Sequence, residues 1–251
     1  METTRSPFLG VTNIIRFIWH FYLTGLVGLG IVYLLLPFLS EPIFTIAKWG
    51  SILGVLSLLG TLMVSWYVYD FSDLYQLNFL PISSPKSVLN IHAGLDEISP
   101  ILKSKFLHSD LTIGDFYNPE LHTEVSIKRA RMAYPPSADT IKVETNRLPF
   151  TDNSFDITVA FLSAHEIRDE KERVAFFREL KRVSTSEGQI IVTEHLRDLP
   201  NFLAYNMGFF HFHAKSVWLN TFEQAGLRLE EEIKTTPFIS TFILAHHGNT
   251  P

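Results

Sequence analysis

Two long runs without any charged side chain constrain this sequence most. Phe17 to Ser40 and Trp49 to Tyr69 contain no Asp, Glu, Lys or Arg, although the whole chain carries 21 Lys and Arg and 26 Asp and Glu. A helix that crosses a membrane needs about 20 mostly apolar residues, and each run is long enough. Pro37 and Pro42 predict a short turn between the runs. The sequence therefore predicts a helical hairpin in the membrane over residues 14–69.

Two other interpretations of the apolar runs are weaker. Two core helices of a soluble protein are disfavoured, because helices that are apolar on every side are rare there. A cleavable signal peptide is disfavoured, because a second run follows the first and no small-residue cleavage site is evident. Aromatic residues near the run ends suit a membrane–water interface instead. They are Trp19, Tyr22, Trp49, Trp66, Tyr67 and Tyr69.

Composition also excludes some classes of function. The chain has no Cys, which excludes disulfides, thiolate zinc sites and cysteine nucleophiles. Its net charge is −5 and no stretch is rich in Lys and Arg, so nothing attracts nucleic acid in general. Nucleic acid is therefore not an expected partner.

The chain divides into three parts by composition. Residues 1–72 form the predicted hairpin, residues 73–86 are a predicted linker that contains Pro and Ser, and residues 87–251 alternate between strand and helix patterns. Five strands separated by helices, followed by two strands in succession, predict an α/β domain. Its fold class is a Rossmann-like, seven-stranded, mainly parallel sheet flanked by helices, with one of the last two strands antiparallel. Ligands of such sheets bind at the carboxyl ends of the strands.

The residues at those strand ends resemble a known family. The order of elements, and "RLPFTDNSFD" followed by "LSAHEI", are similar to the class I S-adenosylmethionine-dependent methyltransferases, especially the type 11 and ubiquinone/menaquinone-biosynthesis branch. The resemblance covers about Lys86 to Gly248. It implies methyl transfer as the activity and S-adenosyl-L-methionine as the cofactor.

The resemblance places the cofactor loop at "VLNIHAG". In the family a strand is followed by an acidic residue and by glycines spaced G-x-G-x-G. Here Asn90 takes the acidic position, His92 the first glycine, Gly94 the second and Asp96 the third. Side chains at glycine positions are departures, since a backbone approaches a ligand closely only where side chains are absent. Asp96 is also a good helix N-cap. We interpret the stretch as a degenerate cofactor loop.

Further cofactor contacts are implied at the next strand ends. Asp115 closes the second strand, where the family has a carboxylate that accepts hydrogen bonds from both ribose hydroxyls. The alternative for Asp115 is a solvated loop acid. Glu144 matches the acid or amide that contacts adenine, and Thr145 or Asn146 could supply the same contact. Leu162, after the fourth strand, completes the predicted cofactor set.

Candidate catalytic residues follow the fourth and fifth strands. Methyl transfer is an in-line displacement from a sulfonium, so the enzyme mainly positions the acceptor, and a general base is useful without being obligatory. Glu166 and Glu194 lie beside two of the candidates, and the segment "LAYNMGFFHFHAK" is expected to cap the acceptor side. A structural polar contact is an open alternative for each candidate. The predicted catalytic residues are His165, His195, Tyr205 and His211.

A metal site is not predicted. The motifs "HFH" and "HH" suggest ligands, but neither lies near a convincing set of carboxylates in the sequence.

Three functions remain in competition. The favoured one is a membrane-tethered methyltransferase that acts on a lipophilic small-molecule acceptor such as a quinone, a polyketide-like phenol or a lipid, with the bilayer as its partner. We expect a multi-pass protein with its C-terminal domain in the cytoplasm, mainly because of what that domain is expected to bind. The second is a catalytically silent module with the same fold that acts in binding. The third, a nucleotide-dependent oxidoreductase, is disfavoured because the first loop lacks G-x-G-x-x-G.

Overall fold

The two apolar runs form a pair of packed helices. The computed structural model describes residues 5–81 and 85–246; residues 82–84, near the end of the predicted linker, and the second histidine of "HH" lie outside this range. Helices α1 (Leu9–Leu35) and α2 (Ile43–Trp66) are joined by a short 3₁₀ turn. Both are long and apolar enough to cross a membrane, and only 0% and 11% of their most apolar windows is buried. Their exposure argues against two core helices.

A seven-stranded sheet forms the centre of the second part of the chain. The strands are β1 (Ser87–His92), β2 (Asp110–Asp115), β3 (Thr140–Lys142), β4 (Phe155–Phe161), β5 (Ser184–His195), β6 (Leu227–Thr236) and β7 (Ile239–His246). Their order is β3-β2-β1-β4-β5-β7-β6. Strand β7 is antiparallel to both of its neighbours, and the other pairs are parallel. The predicted α/β fold is confirmed.

Five helices flank this sheet: α3 (Ser99–Lys105), α4 (Val125–Ala133), α5 (Glu170–Val183), α6 (Leu199–Tyr205) and α7 (Lys215–Gln224). Helix α5 illustrates why they form. The Asp169 carboxylate caps its first turn by accepting from the backbone N–H of Glu172. Its apolar face buries Val174, Phe177 and Leu180. Burial of each such side chain is worth about 1.5–3 kcal/mol.

The first half of the predicted linker is folded and buried against the sheet domain. A 3₁₀ turn forms over Asp73–Gln76, and Leu74 and Leu77 are fully buried in a core cluster that also contains Val88 of β1. The reason is local sequence, because residues 73–80 contain apolar side chains at core-facing positions while the Pro and Ser residues lie later. The hairpin is therefore packed onto the sheet domain.

The base of the hairpin is closed by one carboxylate. Asp70 accepts hydrogen bonds from the backbone N–H groups of Gly10 and Val11, at 2.6 and 2.8 Å. It caps the start of α1, where a negative charge is favourable. A Cβ on Gly10 would lie 2.3 Å from the Cβ of Tyr69, so only glycine allows this approach. Helix α1 is thereby held beside the strand ends.

Candidate active site

The predicted site residues meet at the carboxyl edge of the sheet, where neighbouring parallel strands end together. His92 at the end of β1 pairs in register with Asp115 at the end of β2. Phe161 at the end of β4 pairs with Thr193 of β5, so the residues that follow them are neighbours. The edge therefore has two halves: the cofactor half beyond β1 and β2, and the acceptor half beyond β4 and β5.

The loop beyond β1 turns at Gly94. Its φ of +96° favours glycine, and a Cβ there would lie 3.0 Å from Arg131 Nη1 and 3.2 Å from Tyr117 Cβ. The Nδ1 atom of His92 accepts from the Gly94 N–H at 3.1 Å, so the proton of the neutral ring lies on Nε2. Burial lowers the pKa of His92, which favours this neutral form.

Asp96 lies two residues before Ile98, the N-cap residue of α3, and its carboxylate bonds to the start of that helix. Its Oδ1 accepts from the backbone N–H of Ser99 at 3.0 Å and from Asn90 Nδ2 at 3.0 Å. The carboxylate at the third glycine position thus stabilises the loop and the helix instead of making room for a ligand.

Asp115 is buried, which excludes the solvated loop acid. Its Oδ1 accepts from the backbone N–H of Tyr117 at 2.9 Å, and its Oδ2 pairs with Arg131 Nη1 at 2.5 Å. The Arg131 guanidinium also lies 4.8 Å from the Tyr117 ring centre. The sequence did not predict a role for Arg131, which bonds to the Asp115 oxygen that is expected to accept from the ribose.

The residue types of the cofactor half suit S-adenosyl-L-methionine. Asn90 Oδ1 and His92 Nε2 are buried and have no protein partner, which leaves one acceptor and one donor for a ligand. The cavity beside them, also lined by Leu162, has a volume of about 30 Å³, which is about that of one water molecule. The cofactor is much larger than this cavity, and Arg131 occupies the Asp115 oxygen that is expected to contact the ribose.

The residues predicted to contact adenine lie just beyond β3. The backbone N–H of Val143 donates to the Asp115 carbonyl at 3.0 Å, which brings this turn beside β2. Glu144 and Asn146 are exposed there. Thr145 instead donates its hydroxyl to Glu172 of α5 at 2.6 Å. Of the three, Thr145 already has a protein partner.

The acceptor half contains a buried cluster of ionisable side chains. His165 Nδ1 lies 2.6 Å from Glu194 Oε2, and the other oxygen of Glu194 accepts from the His165 backbone N–H at 3.1 Å. Glu166 Oε1 lies 3.5 Å from both His165 Nε2 and His211 Nε2. Burial opposes a charge on His165, but the carboxylates of Glu194 and Glu166 outweigh it and raise its pKa to about 10.

His195 and Tyr205 lie deeper and have different surroundings. Both ring nitrogens of His195 are engaged, Nε2 with the Tyr69 hydroxyl at 2.7 Å and Nδ1 with Asn201 Oδ1 at 2.9 Å. Its ring stacks on Phe212 and is met edge-on by Tyr205. Burial lowers the pKa of His195 to about 3. The structure brings His165 and His211 together and leaves His195 and Tyr205 in a separate packed group.

The pairing of His165 with Glu194 was not predicted, although its signal is in the sequence. His165 follows β4 and Glu194 is the penultimate residue of β5, and the ends of adjacent parallel strands meet. The contacts from the hairpin, Tyr69 to His195 and Asp70 to α1, have no such signal.

Comparison with known proteins identifies the domain. Residues 107–192 match a family model described as a methyltransferase domain. A demethylmenaquinone methyltransferase of Thermotoga maritima is 30% identical over 134 residues, which are 53% of this chain and 53% of that protein. The chain thus spans about half the length of this curated relative.

A solved structure supports the fold. The PH0226 protein of Pyrococcus horikoshii matches with a TM-score of 0.52 and 16% identity, over 70% of this chain and 88% of that one. A SAM-dependent methyltransferase of Aquifex aeolicus matches with a TM-score of 0.49 and 17% identity, over 67% and 86%. Residues 107–192 of this chain accordingly match a methyltransferase domain within a Rossmann-like sheet, and two long apolar helices precede that sheet.

Proposed function

We propose that this protein is an active, membrane-anchored methyltransferase that transfers the methyl group of S-adenosyl-L-methionine to a lipophilic acceptor. The C-terminal domain would face the cytoplasm, and the bilayer would be both its anchor and the source of its substrate. The demethylmenaquinone methyltransferase among its relatives supports a quinol-like acceptor.

One observation carries the proposal: an apolar patch beside the acceptor half lies against the predicted membrane helix α2. The patch consists of exposed side chains on α6 and the following 3₁₀ turn. Their exposed fractions are 67% for Leu199, 45% for Phe202, 68% for Leu203, 74% for Met207 and 55% for Phe210. Exposed apolar side chains gathered in one place mark an interaction surface.

The depth of this patch follows from its contacts with α2. Thr61 of α2 donates to the Ala204 carbonyl at 2.8 Å, and Asn206 donates to the Ser57 hydroxyl at 2.6 Å. Ser57 lies nine residues before Trp66, the end of α2, which corresponds to about 14 Å along the helix. If α2 spans a membrane, the patch lies at the level of the lipid headgroups or below them.

The same segment leads from the membrane to the acceptor half. The 3₁₀ turn that carries Met207 and Phe210 ends at His211, whose Nε2 faces Glu166. A lipophilic acceptor that enters beside the patch therefore reaches the polar cluster without crossing water. Bringing the acceptor to the methyl group in attack geometry is the main contribution that such an enzyme makes.

Different residues would bind the cofactor and the acceptor. The cofactor supplies an activated methyl group on a sulfonium. Asp115, Asn90 and His92 would hold it once Arg131 has moved. His165, oriented by Glu194, is the histidine whose Nε2 faces the cluster, and it would contact the reacting group of the acceptor. His195 and Tyr205 would position the capping segment.

The decisive test is transfer of a labelled methyl group by the full chain in lipid nanodiscs. We expect transfer to a quinol with a long isoprenoid tail and a KM at least about tenfold higher for the tail-less quinol. Leu203→Glu combined with Met207→Glu should raise the KM for the long-tailed acceptor and leave the KM for the tail-less one unchanged. Lys103→Glu, on the exposed side of α3, is the matched control. Equal KM values for the two acceptors in the unmodified chain would contradict the lipophilic acceptor.

A catalytically silent module is the second candidate, and the contact of Arg131 with Asp115 favours it. An arginine fixed there would take the ribose site permanently. This alternative would be supported if the full chain did not bind S-adenosyl-L-methionine and if Arg131→Ala, which removes the contact, did not restore binding.

A further inference from the structure

We propose that His165, Glu166 and His211 form a site for a divalent cation of the Zn²⁺ class. One ligand atom from each residue lies within 4.8 Å of the others. The Glu166 Oε1 atom lies 3.5 Å from Nε2 of each histidine. Ligands about 2.0–2.1 Å from a tetrahedral zinc ion lie about 3.3–3.4 Å from one another, so the two nitrogen–oxygen distances already suit the ion and the side chains would draw together around it.

The fold brings these ligands together from separate segments. His165 and Glu166 belong to the 3₁₀ turn after β4, whereas His211 ends the 3₁₀ turn after α6. The sequence pattern "HFH" had no carboxylate near it, and the structure supplies Glu166. The other histidine of that motif, His213, faces Arg173 at 3.4 Å and is no ligand.

Partners outside the ligand set prepare both histidines for a cation. Glu194 accepts from His165 Nδ1 and is fully buried, which orients Nε2 toward the site. A carboxylate behind a histidine ligand is the usual arrangement in zinc sites, because it fixes the tautomer and raises the basicity of the ligand. Glu124 Oε1 lies 3.5 Å from His211 Nδ1 and offers the same arrangement on the second histidine.

One contact must change for the cation to bind. Arg168 donates to the His211 carbonyl at 2.5 Å and also contacts His211 Nδ1. A cation on Nε2 requires a proton on Nδ1, which Glu124 can accept and Arg168 cannot. Arg168 is exposed, so its side chain can turn away into solvent. The arginine therefore competes with the cation.

Two histidines and one carboxylate leave a coordination position open, as in catalytic zinc sites. Here the inference extends the proposed function, because the cation would lie between His165 Nε2 and the acceptor, and a hydroxyl oxygen of the acceptor would take the open position. A zinc ion would lower the pKa of that hydroxyl, so that its proton passes to solvent. The oxygen would then form a bond to the methyl carbon as the carbon–sulfur bond breaks, and the sulfur would keep the electron pair.

Zn²⁺ titration of the full chain in detergent, after treatment with a chelator, tests the site. We expect one Zn²⁺ per chain and an affinity at least about tenfold weaker for His211→Ala and Glu166→Gln, since even outer partners of a metal site are worth 10- to 100-fold. Arg168→Ala should bind more tightly. His213→Ala, two residues from His211, is the matched control.

Co²⁺ should give the visible absorption of a four-coordinate site, and His211→Ala should lose this absorption.

Two control measurements, melting temperatures and a parallel cofactor titration, make a negative result interpretable. Melting temperatures identify a variant that does not fold, and His211 is on a partly exposed turn, so His211→Ala remains usable if Glu166→Gln is unstable. Absence of Zn²⁺ binding, or equal affinity in the unmodified chain and His211→Ala, would overturn the site. A parallel titration with S-adenosyl-L-methionine distinguishes this failure from a failure of the proposed function.

Discussion

The two halves of the strand-end edge differ in how their polar groups are satisfied. In the cofactor half, Asp115 is neutralised by Arg131, and the remaining cavity holds about one water molecule. In the acceptor half, two carboxylates and two histidines face one another within a few ångströms. The first half is closed by an internal ion pair, whereas the second collects groups that a ligand or cation would satisfy. The proposed function therefore requires a rearrangement of the cofactor half, where the Asp115 oxygen is already bonded to Arg131.

The largest expected effect separates turnover from cofactor affinity. His165→Ala should lower turnover by about 100-fold, because misplacement of a reacting group costs about that much. The affinity for S-adenosyl-L-methionine should stay within about twofold, since His165 belongs to the acceptor half. Single-turnover kinetics and calorimetry measure the two quantities.

His195→Ala is the matched comparison. Both of its ring nitrogens bond to protein groups, so its replacement should lower the melting temperature more than His165→Ala does. If His195→Ala lowered turnover more than His165→Ala at an unchanged melting temperature, the roles of the two histidines would be exchanged.

The second effect concerns the cofactor half. Asp115→Ala should weaken S-adenosyl-L-methionine binding by about tenfold, because hydrogen bonds to a charged group contribute about 1.5–3 kcal/mol each and 1.4 kcal/mol corresponds to tenfold. Asp110→Ala is the control, since its exposed side chain lies at the opposite end of β2. Equal affinities for the unmodified chain and Asp115→Ala would place the ribose elsewhere.

The smallest effect tests whether the ion pair closes the site. Arg131→Ala removes the competitor for Asp115 Oδ2 and should strengthen S-adenosyl-L-methionine binding by about threefold, which corresponds to less than about 1 kcal/mol. Arg129→Ala, two residues earlier and bonded to the Phe17 carbonyl, is the control. Weaker binding by Arg131→Ala would mean that the arginine holds the cofactor.

The sequence predicts most of the fold because periodicity is local. The number and order of the seven strands match the prediction, and the antiparallel strand follows from two strands without a helix between them. Helix α6 was not predicted: Leu199 to Tyr205 is short, and its apolar side chains face outward, so it has no helical stripe directed at a core. The buried Leu74 and Leu77 were hidden by a composition that suggested a linker.

The site was predictable in its positions and not in its pairings. Strand ends located Asp115, His165 and Glu194, because parallel strands end at one edge. The partners of these groups come from elements whose orientation no local pattern specifies. Arg131 reaches Asp115 from α4, and His211 reaches Glu166 from a turn that follows α6.

Calorimetric titration of the full chain in detergent with S-adenosyl-L-methionine, and separately with NADH, would show which cofactor the domain binds. We expect one S-adenosyl-L-methionine bound per chain and no binding of NADH. Two results would overturn the proposed function: binding of NADH, or no binding of either compound to the unmodified chain and to Arg131→Ala.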